Sequence, residues 1–118
     1  MHELAVTESI LEIALKHAEQ AEATQVTDLY IVIGQLSSIV DDSVQFYWDM
    51  ITDGTLCSGS KLHFQRIPAE MACLSCGNSY TLQGELTVCP ACGSAQVKVV
   101  SGEQFYLDSI EIEKANGG

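Results

Sequence analysis

Cys73-Leu-Ser-Cys76-Gly77 and Cys89-Pro-Ala-Cys92-Gly93, with twelve residues between Cys76 and Cys89, hold four of the five cysteines in the chain. Each C-x-x-C turn aims two sulfurs the same way, and Gly77 and Gly93 can take the positive backbone dihedral such turns need. Zn²⁺ accepts four thiolates in a tetrahedron, so the spacing predicts a zinc site on Cys73, Cys76, Cys89 and Cys92. Two disulfides are the competing reading, set aside because no secretory signal is evident and the C-x-x-C pattern occurs twice. A thioredoxin-like dithiol would place a single C-x-x-C at a helix start after a strand. Here Cys73 follows a strand closed by Pro68, and Cys89 precedes Pro90. Four protein sulfurs leave no open coordination position, so this zinc would be structural and would help fold a segment too small for a core of its own.

Working outward, Lys61 to Ile67 reads as a strand leading into the module, with Leu62 and Phe64 on one face and His63 and Gln65 on the other. After Gly93 the chain re-enters regular structure at Val97 to Val100, turns at Ser101-Gly102 and runs a last strand from Gln104 to Glu113. That strand slips phase: Phe105 and Leu107 alternate, then Ile110 and Ile112, which predicts a bulge near Asp108 or Ser109. Upstream, Leu4 to about Glu22 is an amphipathic helix with Leu4, Ile10, Leu11, Ala14, Leu15 and Ala18 as its stripe. Val26 to Ile33 is a strand ended by Gly34, followed by a polar turn, Gln35-Leu36-Ser37-Ser38. Asp41 is expected to cap a second helix that runs to about Thr52, with Val44, Tyr47, Trp48 and Ile51 facing inward. Strand, helix, strand suggests a right-handed crossover, and the last strand returns to complete the sheet. The expected class is α+β: two helices packed on a small mixed three-stranded sheet, with an inserted zinc-ribbon-like module. The expected domains are residues 1–67 plus 101–118 and, inserted between them, 68–100; Asn116-Gly117-Gly118 is expected to be a disordered tail.

With 118 residues, 47% hydrophobic and 18% charged, the chain has the composition of an ordinary soluble domain, and no run is long enough for a membrane span. A start at Met1-His2-Glu3, with neither a basic nor a hydrophobic stretch, leads to the expectation of a cytoplasmic protein. Sixteen acidic residues against five basic ones give a net charge of −11. Such a chain repels phosphate backbones, and only Lys61, Arg66 and Lys98 lie near the cysteines, so nucleic acid is excluded as a partner.

The first three residues form a possible chelator. A free α-amine on Met1, the amide nitrogen of His2 and its imidazole can close two rings on one cation, with a fourth donor from Glu3 or elsewhere. Planar nitrogen sets suit Ni²⁺ or Cu²⁺ better than zinc. An ordinary helix start is the competing reading of the same residues. Cys57 reads as a plain thiol on a loop, since no His and Asn or Asp pattern partners it as a nucleophile. His17 is expected to be solvated, and His63 to pair with a carboxylate or pack. No glycine-rich phosphate loop, serine elbow or zinc-peptidase helix is present, so no case for catalysis arises.

Met1-His2-Glu3, I-G-Q-L-S at Ile33 to Ser37, V-Q-F-Y-W at Val44 to Trp48, D-G-T at Asp53 to Thr55, the paired cysteines and S-G-E-Q-F-Y-L-D-S-I-E-I-E at Ser101 to Glu113 occur in that order. Together they resemble the HypA/HybF family of hydrogenase maturation nickel chaperones, over nearly the whole chain. The resemblance implies a non-enzymatic carrier that helps deliver nickel to the large subunit of nickel–iron hydrogenase. It places the nickel ligand on His2, with the backbone around it and Glu3 contributing, and makes residues 1–67 plus 101–118 the nickel-binding domain. It places structural zinc on Cys73, Cys76, Cys89 and Cys92. The partners it implies are a GTPase accessory protein, HypB, and the hydrogenase precursor; some members also serve urease. A zinc-ribbon adaptor without labile metal is the alternative.

Overall fold

The computed structural model describes residues 3–82, 84 and 88–115. Met1, His2 and the tail Asn116-Gly117-Gly118 lie outside the described residues. Two compact units emerge: one runs up to Val32 and includes Ser38–Gln65 and the chain from Tyr106 on, and the other comprises Ile33–Ser37 and Arg66–Phe105.

In the first unit, α1 spans Glu3–Gln20 and buries Thr7, Ile10, Ala14 and Ala18. The buried stripe is therefore centred on small residues, and Leu4, expected within it, is 37% exposed. Alanines at Ala14 and Ala18, both fully buried, let neighbouring backbone come close where larger side chains would hold it off. Thr7 is tolerated there because its hydroxyl donates to the Glu3 carbonyl one turn earlier.

β1 (Ala23–Gly34) carries Leu29, Ile31 and Ile33, all fully buried, on one face. α2 (Asp41–Ile51) follows and packs against α1. Asp41 is the first helical residue and not its cap; Val40, in extended conformation, holds the cap position without a side-chain hydrogen bond. Both Asp41 and Asp42 fall in the first turn, where the helix dipole favours negative charge.

β2 (Lys61–Ile67) and β6 (Phe105–Lys114) flank β1 in the order β2-β1-β6. Asp28 meets His63 and Gln35 meets Ile67, so β1 and β2 ascend together and are parallel. Thr24 meets the Glu113 carbonyl, Thr27 that of Glu111 and Gly34 that of Gln104, so β6 runs antiparallel and the sheet is mixed. Burial along β6 slips phase at Asp108 and Ser109, which are both exposed. On the face away from Leu29, the His63 ring stacks on Tyr30 at 4.8 Å, and His63 Nε2 lies 2.6 Å from Asp28. The hydrogen bond to His63 holds the Asp28 carboxyl below its ordinary range.

Trp48, fully buried, donates its indole N–H to Ser60 Oγ at 2.9 Å, and the Ser60 hydroxyl in turn donates a hydrogen bond to the Cys57 carbonyl. Cys57 itself is buried, and burial pushes its thiol up to about 11, which fits a core thiol and not a nucleophile. Ser60→Ala strands the indole N–H in the core, and should lower stability by about 2 kcal/mol in urea unfolding. Adding Trp48→Phe should then cost less than in the wild-type background; a purely additive pair would show that the bond does not couple them.

The second unit is built on a three-stranded antiparallel sheet, β4 (Ser79–Thr81), β3 (Glu70–Cys73) and β5 (Val97–Ser101), in that order. Ala69, Met71 and Leu82 form its core, with Leu36, Tyr80 and Val97 packed against them. The Gln35 side chain joins in: Oε1 accepts the Ala69 N–H at 2.9 Å and Nε2 donates to the Gly84 carbonyl at 2.6 Å. Gln35 and Leu36 of the expected polar turn, both partly buried, are thus tied into this unit. Gly34 backbone donates to Gln104 at 2.7 Å and Leu36 to Gly102 at 2.8 Å, so the chain entering and the chain leaving the unit are hydrogen-bonded to each other.

Candidate metal centre

β3 ends at Cys73, and the chain turns back at once: the Gly77 N–H reaches the Cys73 carbonyl at 3.0 Å, and the Cys73 N–H reaches Asn78 at 2.8 Å. Sixteen residues on, the same construction repeats, with Gly93 N–H on the Cys89 carbonyl at 2.8 Å and Cys89 N–H on Ser94 at 2.9 Å. Gly77 and Gly93 have φ of 77° and 75°, the left-handed conformation the sequence demanded of them. Each turn also points amide hydrogens at its leading sulfur. Ser75 and Cys76 N–H approach Cys73 Sγ at 3.3 and 3.4 Å, and Ala91 N–H approaches Cys89 Sγ at 3.4 Å.

The two turns bring their sulfurs together. Cys73 Sγ lies 3.6 Å from Cys92 Sγ, Cys76 Sγ lies 3.8 Å from Cys89 Sγ, and all four are within 4.8 Å of one another. A tetrahedron with sulfurs about 2.3 Å from zinc has sulfur–sulfur edges of about 3.8 Å. The donor set and its spacing therefore fit that ion, and none of the four is paired in a disulfide. Cys73 and Cys89 are buried while Cys76 and Cys92 are exposed, so one sulfur of each turn faces the interior.

Electrostatics divides the thiols. Hydrogen bonds, that from Cys76 foremost, hold Cys73 below its usual range. Burial opposes ionisation of Cys89, but the Cys92 and Ala91 amides outweigh it and bring the thiol to about 6. Cys92 receives help from the Ser94 amide, yet its neighbours Cys73 and Cys76 push it up to about 12. Metal-free, the sulfurs share protons; a divalent ion removes the need to share and expels them. The buried Tyr80 hydroxyl is raised by burial and by the sulfur charges of Cys89 and Cys73.

Of the residues expected at the second metal site, Glu3 is described and opens α1. Its carboxylate Oε2 accepts the Val40 N–H at 3.4 Å, where α2 begins. A carboxylate so held keeps lone pairs for a cation. Met1 and His2 lie outside the described residues. His17 is exposed, and His63 is occupied with Asp28 and Tyr30. Among the described residues the four cysteines are the one His, Cys, Asp or Glu cluster with metal-binding spacing. No helix among them is long and apolar enough to cross a membrane.

The family model for hydrogenase/urease nickel incorporation, metallochaperone, hypA matches residues 1–112. A hydrogenase maturation factor HypA of Dehalococcoides mccartyi is 36% identical over 113 residues, covering 96% of this chain and 95% of the relative. One from Caldanaerobacter subterraneus subsp. tengcongensis is 37% identical over 114 residues, covering 96% of this chain and 100% of the relative. The solution structure of the Ni metallochaperone HypA from Helicobacter pylori shares the fold, with a TM-score of 0.67 at 22% identity over 97% of this chain and 99% of that one.

Proposed function

The chain belongs to the HypA family of hydrogenase and urease nickel-incorporation metallochaperones, and from that premise we propose that it binds Ni(II) at its amino terminus and helps insert it into the large subunit of nickel–iron hydrogenase. The observation that carries the reading is the family match over residues 1–112, which takes in Met1-His2-Glu3 and all four clustered cysteines at once. Nickel is cargo here, held by the Met1 amine, the His2 amide and imidazole, and Glu3. Zinc on Cys73, Cys76, Cys89 and Cys92 is the permanent ion that shapes the second unit. The two sites differ in the way their tasks demand. Four thiolates close a site, while a chain terminus with few ligands lets an ion leave. The position of Glu3, with its carboxylate pinned to the Val40 amide, supports the nickel reading because it keeps one donor in place beside the terminus.

The carrier works in the cytoplasm without catalytic chemistry of its own, and its exchange partners are a HypB-type GTPase and the hydrogenase precursor, with urease accessory proteins as a second outlet. Zinc-loaded protein titrated with nickel should take up one further ion. His2→Ala should weaken that uptake by about 100-fold or more, since loss even of a ligand's supporting partner costs 10–100-fold. Affinity should rise with pH, because amide and imidazole nitrogens shed protons to bind metal. Full nickel affinity in the His2 variant would remove His2 from the site, and unchanged affinity after extending the chain ahead of Met1 would remove the amine. Absence of any nickel uptake would favour a zinc-ribbon adaptor.

A further inference from the structure

α2 buries Val44 and Trp48 completely, and its other side is not polar throughout. Phe46 is 64% exposed and Met50 55%, four residues apart and therefore one above the other on the outward face. Asp42, one turn before Phe46, Asp49, next to Met50, and Asp53, just past the end of α2, are also exposed. The Phe46 ring meets Tyr47 edge-on at 5.4 Å, and Asp49 accepts a hydrogen bond from the Gln45 amide at 2.8 Å. No Lys or Arg occurs between Lys16 and Lys61, so the acidic rim has no cation on its own stretch of chain. Large apolar side chains inside a one-signed rim are the composition of a protein-binding face, with aromatic and Met at the centre and charge at the edge.

We propose that this face of α2 is the docking surface for a partner protein that presents an amphipathic helix, its apolar stripe flanked by lysine or arginine. The occupant follows from charge: a chain of net −11 with three exposed carboxylates on and just past α2 selects cationic flanks and repels a second copy of itself. Phe46 is the anchor and Met50, a flexible side chain, adapts to the apolar stripe beside it. The proposal rests on the nickel-carrier reading for its meaning. Val40, whose amide holds Glu3, heads the same helix, and Phe46 is six residues along it, about 9 Å of axial rise. A partner seated here lies along the helix whose head holds Glu3, one of the proposed nickel donors.

The test uses a labelled synthetic helical peptide with leucines on one face and lysines and arginines on the other, and a counterpart with glutamates in place of the cations, read by fluorescence anisotropy. The cationic peptide should bind and the acidic one should not. Phe46→Ala with Met50→Ala should weaken binding at least tenfold, while Asp42→Asn, Asp49→Asn and Asp53→Asn together should weaken it and flatten its salt dependence. Equal affinity in the Phe46 and Met50 double variant would overturn the proposal, as would failure of both peptides to bind. So would dimerisation of the wild type that disappears in the double variant, which would make a second copy the occupant. Nickel titration of the double variant is expected to match wild type within twofold. Loss of peptide binding with nickel retained therefore supports the docking face, whereas a wild type that binds peptide but no nickel keeps the face and discards the carrier reading.

Discussion

Cys89→Ser is expected to leave the protein without zinc and its second unit unfolded. Cys89 Sγ is buried and accepts the Ala91 amide at 3.4 Å, so a serine hydroxyl there would be enclosed without the charge that zinc requires. Three sulfurs cannot restore the closed set, and the remaining support is the small cluster of Ala69, Met71 and Leu82. A unit of a few dozen residues seldom folds on such a core without a metal. The stake is most of the binding free energy of a four-thiolate zinc, on the order of 10 kcal/mol or more at neutral pH. Amides of β3, β4 and β5 should lose hydrogen-exchange protection, and zinc should drop below stoichiometric after dialysis. Helices α1 and α2, whose core is made of Ile10, Ala14, Val44 and Trp48, should keep theirs. Acid should mimic the substitution in wild type: binding expels protons, above all from Cys92 at about 12, so zinc affinity must fall as pH falls. A serine variant that retains one zinc and protected strands would show that the four-sulfur site is not what holds this unit together.

The second large effect is expected at Gly34. A methyl group there would stand 2.1 Å from the Gly102 carbonyl oxygen and 2.7 Å from Gln104 Oε1. The first obstacle is backbone, which cannot rotate away, and the same backbone is tied by the bonds of Gly34 to Gln104 and of Leu36 to Gly102. Gly34→Ala should therefore cost on the order of 4 kcal/mol, near the upper limit for single substitutions. Gly102→Ala should be comparably damaging for two reasons, a methyl 2.5 Å from Ala69 Cβ and a φ of +141° that side chains rarely adopt. Gly54→Ala is the control: φ is +80° but nothing lies within 4 Å, so the cost should be the conformational one alone, about 1 kcal/mol. Denaturant midpoints of the three variants decide the matter. If Gly34→Ala proves no worse than Gly54→Ala, the close approach of the two segments is not a feature of the folded protein.

Gly34 also shows how a correct boundary can be read for an incomplete reason. In the sequence it reads as a stop signal after a β-branched run, and β1 does end there. What makes glycine necessary is a chain sixty-eight residues later, Gly102, crossing too close for any Cβ. The adjacent Gln35-Leu36 looks like a solvated turn because its residues are polar or isolated, yet Leu36 packs against the cluster of Ala69, Met71 and Leu82, and Gln35 satisfies the Ala69 amide. Neither partner could be known from local pattern. Strands β3 and β4 are short enough to have no periodicity of their own, and are held by pairing with β5. Conversely, β6 declared its irregularity in advance, since the doubled polar step at Asp108 and Ser109 is written directly into the residue order.

The sequence alone determined the parts whose physics is local or is set by atom type: two helices by their apolar spacing, the β1, β2 and β6 strands by alternation, and the sulfur cluster by two identical turns with glycine where the backbone must turn left. Four thiols at that spacing point to a tetrahedral metal site through coordination chemistry, before any fold is known. Tertiary structure alone decided which of the small and polar residues are interior, because burial of Thr7, Cys57 and Ser60 depends on neighbours distant in the chain. It alone decided that the amide of Val40 holds Glu3, and that Phe46 and Met50 remain uncovered on the outer side of α2. An amphipathic pattern states how much apolar surface a helix has; only the packing of every other element shows which part of it is left for a partner.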